Sequence, residues 1–297
     1  MLYLKRILSV SLLNLLLFSS CGYADENYQT EIFGGYKKKD ADSSTKKDTW
    51  LSAEIYFSPV NTDNKPLAQA AFLDKSSSVS IGYRNLKTEY QNSSLNSSDS
   101  NGPYFEINYI TETNSFILGA RYLTNDIETD PSLVTGDFTV TGISIGKYLN
   151  DSSAVSFSYK NSNTEYQSTV SSWSSNYDVK RYGLLYKTVQ SLDITSYYRV
   201  SAEIDLINKS DSDSVEEDNV ELGISGAYYF TRMTSLGAGI LFNSGDDVSD
   251  EGRILRVGLT HFFSPQVAFN INLSRFNADD SQTEDTDSIS VGVIARI

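Results

Sequence analysis

Leu192-Asp193-Ile194-Thr195-Ser196-Tyr197-Tyr198-Arg199-Val200-Ser201-Ala202-Glu203-Ile204-Asp205-Leu206 alternates apolar and polar residues almost without a break. Successive side chains of a strand point to opposite faces. Leu192, Ile194, Tyr198, Val200, Ala202, Ile204 and Leu206 therefore share one face, and Asp193, Tyr197, Arg199, Ser201, Glu203 and Asp205 share the other. The run is far longer than the roughly 5–6 residues of an average globular strand.

The same period of two recurs from residue 27 to the end of the chain. It predicts strands near 27–38, 49–58, 77–87, 103–111, 115–124, 137–149, 153–162, 177–189, 192–206, 218–230, 234–243, 252–263, 266–277 and 287–297. Apolar faces include Leu51, Ala53, Ile55 and Phe57, then Val155, Phe157 and Tyr159, then Val267, Phe269, Ile271 and Leu273. The stretch 137–149 is ambiguous, because Ile143 and Ile145 share parity with Lys147.

The connections decide what the strands build. Short links hold Glu112-Thr113-Asn114, Asp151-Ser152, Gln190-Ser191, Arg232-Met233 and Ser264-Pro265. Between them lie long polar stretches at 39–48, 88–102, 125–136, 163–176, 207–217, 244–251 and 278–286. Alternating short and long connections are the mark of a closed antiparallel transmembrane β-barrel of about fourteen strands (a range of 12–16 fits), with tight periplasmic turns and long acidic extracellular loops. An even strand count puts both termini on the periplasmic side. One connection breaks the order. Residues 59–76 are long where a short turn is due, and they contain Pro66-Leu67-Ala68-Gln69-Ala70-Ala71-Phe72-Leu73. Proline at a first turn followed by alanine and leucine fits a short helix at the periplasmic rim; an extended linker fits equally.

Composition agrees with a wall that has one face in lipid and one in water. Only 39% of the 297 residues are hydrophobic. Beyond the N-terminus no stretch approaches the roughly 18–20 apolar residues of a spanning helix. Unpaired backbone is not tolerated in hydrocarbon, so a spanning β structure must close on itself. Twenty tyrosines against two tryptophans fit aromatic belts at the lipid interfaces, and tyrosine also favours strands in any sheet. The 38 acidic against 24 basic residues argue against nucleic-acid binding, which needs a basic face.

Residues 1–24 read as a cleaved signal peptide, leaving 25–297 as the barrel. Lys5 and Arg6 form the basic region, Ile7 to Phe18 the apolar one, and Gly22 and Ala24 are the small residues before the cut. The rival reading is a lipoprotein-like cut at Phe18-Ser19-Ser20-Cys21, with phenylalanine where leucine is usual.

Two local motifs carry a resemblance. Gly226-Ala227-Tyr228-Tyr229-Phe230-Thr231-Arg232-Met233-Thr234-Ser235-Leu236 resembles a strand–turn–strand of Gram-negative outer-membrane porins, and His261-Phe262-Phe263-Ser264-Pro265-Gln266-Val267 repeats its layout. The segment Pro66 to Leu73 is similar to one in the small putative bacterial porin family. The resemblance implies a diffusion channel in the cell outer membrane. One feature departs from it: such chains usually end in Phe or Trp, and this one ends Ala295-Arg296-Ile297.

The face opposite the lipid carries both signs of charge. The register places Lys37, Glu54, Arg84, Glu106, Arg121, Lys160, Arg181, Lys187, Arg199, Glu203, Asp205, Glu221 and Arg256 inward as pore-lining residues, with Glu31 and Arg296 beside them. A water-filled lumen lined by opposed charges sets a preference among solutes; the alternative is that these charges pair and fill the barrel. Acidic clusters at Asp211, Asp213, Glu216, Glu217 and Asp218, at Asp246, Asp247, Asp250 and Glu251, and at Asp279, Asp280, Glu284, Asp285 and Asp287 make the outer mouth negative, which leans toward cations.

The sole histidine, His261, lies beside the Ser264-Pro265 turn, and no Gly-x-Ser-x-Gly elbow is present. No enzyme, cofactor or metal is expected. The expected function is passive diffusion of small hydrophilic solutes or ions, and the alternative is a structural or surface-interaction barrel without an open channel. Expected partners are outer-membrane lipid and lipopolysaccharide, with a homotrimer open.

Overall fold

The computed structural model describes residues 27–91, 96–131, 133–211, 216–245, 251–279 and 283–297. The expected signal peptide, and with it Cys21, lies outside them. Fourteen strands form one closed antiparallel sheet in which each strand pairs with its chain neighbours and the last pairs with the first. They are β1 (Asn27–Asp40), β2 (Ser44–Asn61), β3 (Ser78–Tyr90), β4 (Ser97–Ile110), β5 (Phe116–Asp130), β6 (Val134–Asn150) and β7 (Ser153–Ser168). The circuit continues through β8 (Ser174–Ser191), β9 (Tyr197–Asp211), β10 (Glu216–Thr231), β11 (Thr234–Gly245), β12 (Gly252–Ser264), β13 (Val267–Ala278) and β14 (Thr286–Arg296). Closure lies between Ile32 and Ala295 and between Tyr36 and Val291, which leaves no open sheet edge to lipid.

Apolar side chains face outward. Leu51, Ile81, Ile143, Leu222, Val257 and Leu273 are exposed on the outer wall, and their sequence neighbours turn to the lumen. This settles the ambiguous strand. Ile143 and Ile145 are 64% and 53% exposed, so Lys147 is also outward, with its Nζ 5.2 Å from the centre of the Phe116 ring. That placement keeps the ammonium at the rim and its stem along the aromatic.

Two boundaries differ from the sequence expectation. The alternation at 192–206 does not begin a strand at Leu192. Residues 192–196 form the turn between β8 and β9, and Leu192 and Ile194 are exposed in it. The reason is Asp193. Its Oδ1 accepts hydrogen bonds from the backbone N–H of Thr195 and of Ser196, each at 2.7 Å, which closes an aspartate turn that outcompetes the extended pattern. The second difference is that most residues of the long polar stretches belong to strands. Of 39–48 only 41–43 connect β1 to β2, and of 125–136 only 131–133 connect β5 to β6. Apolar alternation ends where lipid ends, but backbone pairing continues above it, so a polar strand extension leaves no hydrophobic signature.

The link between β2 and β3 does contain a helix, made of a 3-10 turn Leu67–Gln69 and one helical turn Ala70–Leu73. It does not sit on the rim. Ala70 packs with Tyr28, Tyr56 and Val60, and Leu67 packs with Phe262 and Ala268 on the opposite side of the closure. The barrel's apolar core is thus the contact between this link and the inner wall.

Candidate functional site

The lumen begins above that floor. Polar anchors on widely separated strands and turns hold the link across the barrel end that carries the N-terminus of β1 and the C-terminus of β14. Arg232 donates from Nε to Lys65 O at 3.1 Å and from Nη2 to Thr62 O, while its own carbonyl accepts from Leu67 N at 2.9 Å. Arg296 Nη2 donates to Leu67 O at 2.8 Å. Tyr148 OH donates to Phe72 O at 2.9 Å and Tyr197 OH to Asn64 O at 2.6 Å. Lys187 Nζ stands 4.0 Å from the centre of the Phe72 ring. A cavity of about 590 Å³ lies on the link, bounded by Glu31, Glu54, Phe72, Tyr148, Lys187 and Arg296.

Cross-strand register then organises the charges. One row runs around the wall as Arg296, Glu31, Glu54, Ser80, Glu106, Arg121, Gly142, Lys160 and Arg181, each the direct partner of the next. Its first half is acidic after Arg296 and its second half is basic. Where the halves meet, Arg121 pairs with Glu106. Arg181 holds Asp205 at 2.8 Å and Glu221 at 2.5 Å, and Arg84 forks onto Asp48 with Nη2 2.6 Å from Oδ2 and Nε 3.0 Å from Oδ1. Cross-strand opposite charges of this kind support the sheet as well as filling its interior.

The structure therefore brings together Arg84, Glu106, Arg121, Arg181, Asp205 and Glu221 in ion pairs. Glu54 instead accepts from Ser78 Oγ at 2.6 Å. Lys37, Lys160, Lys187, Arg199, Arg256 and Glu203 share the inward parity and make no ion pair among the described residues.

Sequence reasoning missed three inward residues: Asp48, Trp50 and Tyr104. They border a second cavity of about 690 Å³ together with Lys37, Arg84 and Arg121. Asp48 falls in a stretch read as loop. The two rings lie flat against the wall, because a Cβ on Gly35 would stand 2.2 Å from the Trp50 ring and one on Gly82 would stand 2.4 Å from that of Tyr104. A glycine directly opposite an aromatic on the inner parity was the available signal.

At the barrel ends the acids are partly engaged. Asp285 pairs with Arg275 at 3.1 Å, and Glu284 accepts from Ser43 N at 3.0 Å. Asp213, Asp246, Asp247, Asp250 and Asp280 lie outside the described residues. On the opposite rim, Lys75 beside Asp151 holds that carboxyl below its usual range. The hydrogen bonds from Ser196 and Thr195 bring Asp193 down to about 2. His261 has its Nδ1 2.9 Å from Thr234 Oγ1 and packs edge-on against Phe263.

Solved structures share this architecture. The Acinetobacter baumannii outer membrane protein Omp33 is 20% identical, with a TM-score of 0.61 over 92% of this chain and 100% of that one. A mutant of the monoaromatic hydrocarbon channel TodX is 12% identical, with a TM-score of 0.51 over 92% and 91%. A Pseudomonas aeruginosa FadL homologue is 9% identical, with a TM-score of 0.51 over 91% and 89%. No curated protein matches the chain. At these identities the likeness is one of fold. Family membership comes from a family model, described as "Putative general bacterial porin", that matches residues 1–293, and to that family the chain belongs.

Proposed function

We propose that this outer-membrane porin passes small hydrophilic solutes or ions along a lumen lined by Lys37, Glu54, Arg84, Glu106, Arg121, Lys160, Arg181, Lys187, Arg199, Glu203, Asp205, Glu221 and Arg256, and that the 62–77 link sets how wide the path is. The observation that carries the reading is the pair of charged cavities inside a closed wall. Charge in the lumen belongs with water, because Arg or Lys at the lipid midplane would cost about 2–4 kcal/mol. Residues 1–24 serve as the export leader in this reading. His261 acts in packing, since its hydrogen-bond partner is a threonine and no carboxylate among the described residues bonds to it to orient it as a base.

The link favours a second reading, a barrel without an open channel, because its anchors reach β6, β9, β14 and the β10–β11 turn. Planar bilayers separate the two. The diffusion reading expects small steady conductance from the whole protein and several-fold more when residues 62–74 are replaced by a short turn. A folded barrel that is silent while its shortened variant conducts would establish the closed reading.

A further inference from the structure

Ion pairing redistributes the effective charge of the lumen. Arg84, Arg121, Arg181 and Arg296 are each matched by a carboxylate within 3 Å. Lys37, Lys160, Lys187, Arg199 and Arg256 make no ion pair among the described residues; of the inward acids named above, Glu54 and Glu203 make none either, and Arg181 holds two carboxylates, Asp205 and Glu221. The unmatched balance is basic, although the chain as a whole carries −14.

Four of these cations, all but Lys160, also have a shared setting. Two adjacent cross-strand rows climb the wall from β8 and β9 to β1. The first runs Lys187, Ser201, Ser225, Gly239, Arg256, Ser274 and Ser288. The second runs Arg199, Ala227, Gly237, Gly258, Asn272, Ser290 and Lys37. Neither row contains a carboxylate. On the inner face of β11 to β14 the described residues include none at all. Serine hydroxyls and asparagine amides fill the intervals, and glycines keep the wall low between them. Lys187 stands in the field of Arg199, and Lys37 in those of Arg256 and Arg84; Asp48, which faces Lys37 across β1 and β2, is itself engaged by Arg84. Arg199 Nε is buried with no acceptor among the described residues. A buried donor without a partner loses its hydration for nothing in return. An anion would supply the missing acceptor.

We propose that this acid-free arc, with Lys187, Arg199, Arg256 and Lys37 as its charged steps, is an anion path and makes the barrel prefer small hydrophilic anions bearing a carboxylate or a phosphate. The inference rests on the diffusion reading. It reverses the cation lean drawn from the acidic mouth. The reason is distance: charges at the rim are screened over about 8 Å at physiological salt, while those in the lumen act on every solute that passes.

The test is the reversal potential of single barrels in a potassium chloride gradient, repeated with potassium gluconate and potassium phosphate to distinguish the two anion classes. The wild type is expected to favour chloride over potassium. The K37Q/K187Q/R199Q/R256Q variant is expected to lose that preference several-fold, with K47Q, which changes a lysine on the outer parity, as the unaffected control. Should the fourfold variant not fold, K37Q/R256Q leaves the link contacts intact and is expected to show part of the same loss. Gluconate or phosphate carrying current identifies the class admitted. Cation preference in the wild type, or an unchanged ratio in the variants, overturns the anion path while leaving the porin standing. Silence from both the folded wild type and its link-shortened form would remove the diffusion reading, and the anion path with it.

Discussion

Arg296 Nε stands 2.5 Å from Glu31 Oε1 across the seam where β14 meets β1, and both side chains are buried. The guanidinium carbon lies 4.1 Å from the centre of the Tyr28 ring and 4.6 Å from that of Phe262. One side chain therefore closes the barrel and, through Leu67 O, holds the link. Removing one member of a buried pair leaves the other charge unmatched, at a cost of about 3–5 kcal/mol. R296Q and E31Q are each expected to lower the temperature at which the barrel unfolds on a gel, and the double variant is expected to lose less than the sum of the two. Additive losses would show that the two side chains act independently.

Arg232 offers a gentler perturbation, because it grips the link from the β10–β11 turn and lies outside the charged rows. R232A removes two charge-assisted hydrogen bonds to carbonyls, Lys65 O and Thr62 O. Bonds to a charged donor contribute about 1.5–3 kcal/mol, and less at a rim. The expected result is a folded barrel with brief, larger openings and faster proteolysis at 62–66. Unchanged single-channel records would mean that the remaining anchors suffice.

Acid should act on the β8–β9 turn. The Asp193 carboxyl is brought down to about 2 in the folded protein against about 3.9 in an unfolded chain. A depressed value means stabilisation that is fully present above the unfolded value and is lost as pH falls through the folded one. D193A is therefore expected to unfold more readily than wild type at about pH 5–7, with the gap narrowing below about pH 4 and gone only below about pH 2. A gap that persists unchanged in acid would assign the effect to packing rather than to the carboxylate.

Much of this lumen was legible because lipid enforces parity. Arg84, Arg121 and Arg181 could be placed inward from their apolar neighbours alone. What stayed hidden depends on register. Arg181 meets Asp205 and Glu221 from two following strands, and no local pattern announces such a meeting. The same holds for the acid-free arc, which exists only once β8 to β14 are aligned. Asp48 was lost because polar strand extensions look like loops. The helix at Ala70–Leu73 could be read from composition, but its destination could not, since Tyr148 and Arg296 reach it from far along the chain. Asp193 shows the opposite failure, a turn residue concealed inside good alternation.

Parity itself makes the sharpest prediction, because two neighbours in β6 should respond in opposite ways. Ile143 is 64% exposed on the outer wall, and Ser144 faces the lumen, close to the inner surface of Gly119. I143R puts a guanidinium in lipid, at a cost of about 2–4 kcal/mol at the midplane. S144R puts the same group in water, where it costs little stability but occupies space and adds positive charge beside Asn108. The expected outcome is a destabilised I143R barrel with wild-type conductance when folded, and a stable S144R barrel with reduced conductance and a further shift toward anions. Thermal unfolding on gels reads the first quantity and bilayer recording the second. If the two substitutions exchanged their effects, β6 would be out by one residue, and every inward assignment built on its register, including Arg121 opposite Gly142 and Lys160, would turn over with it.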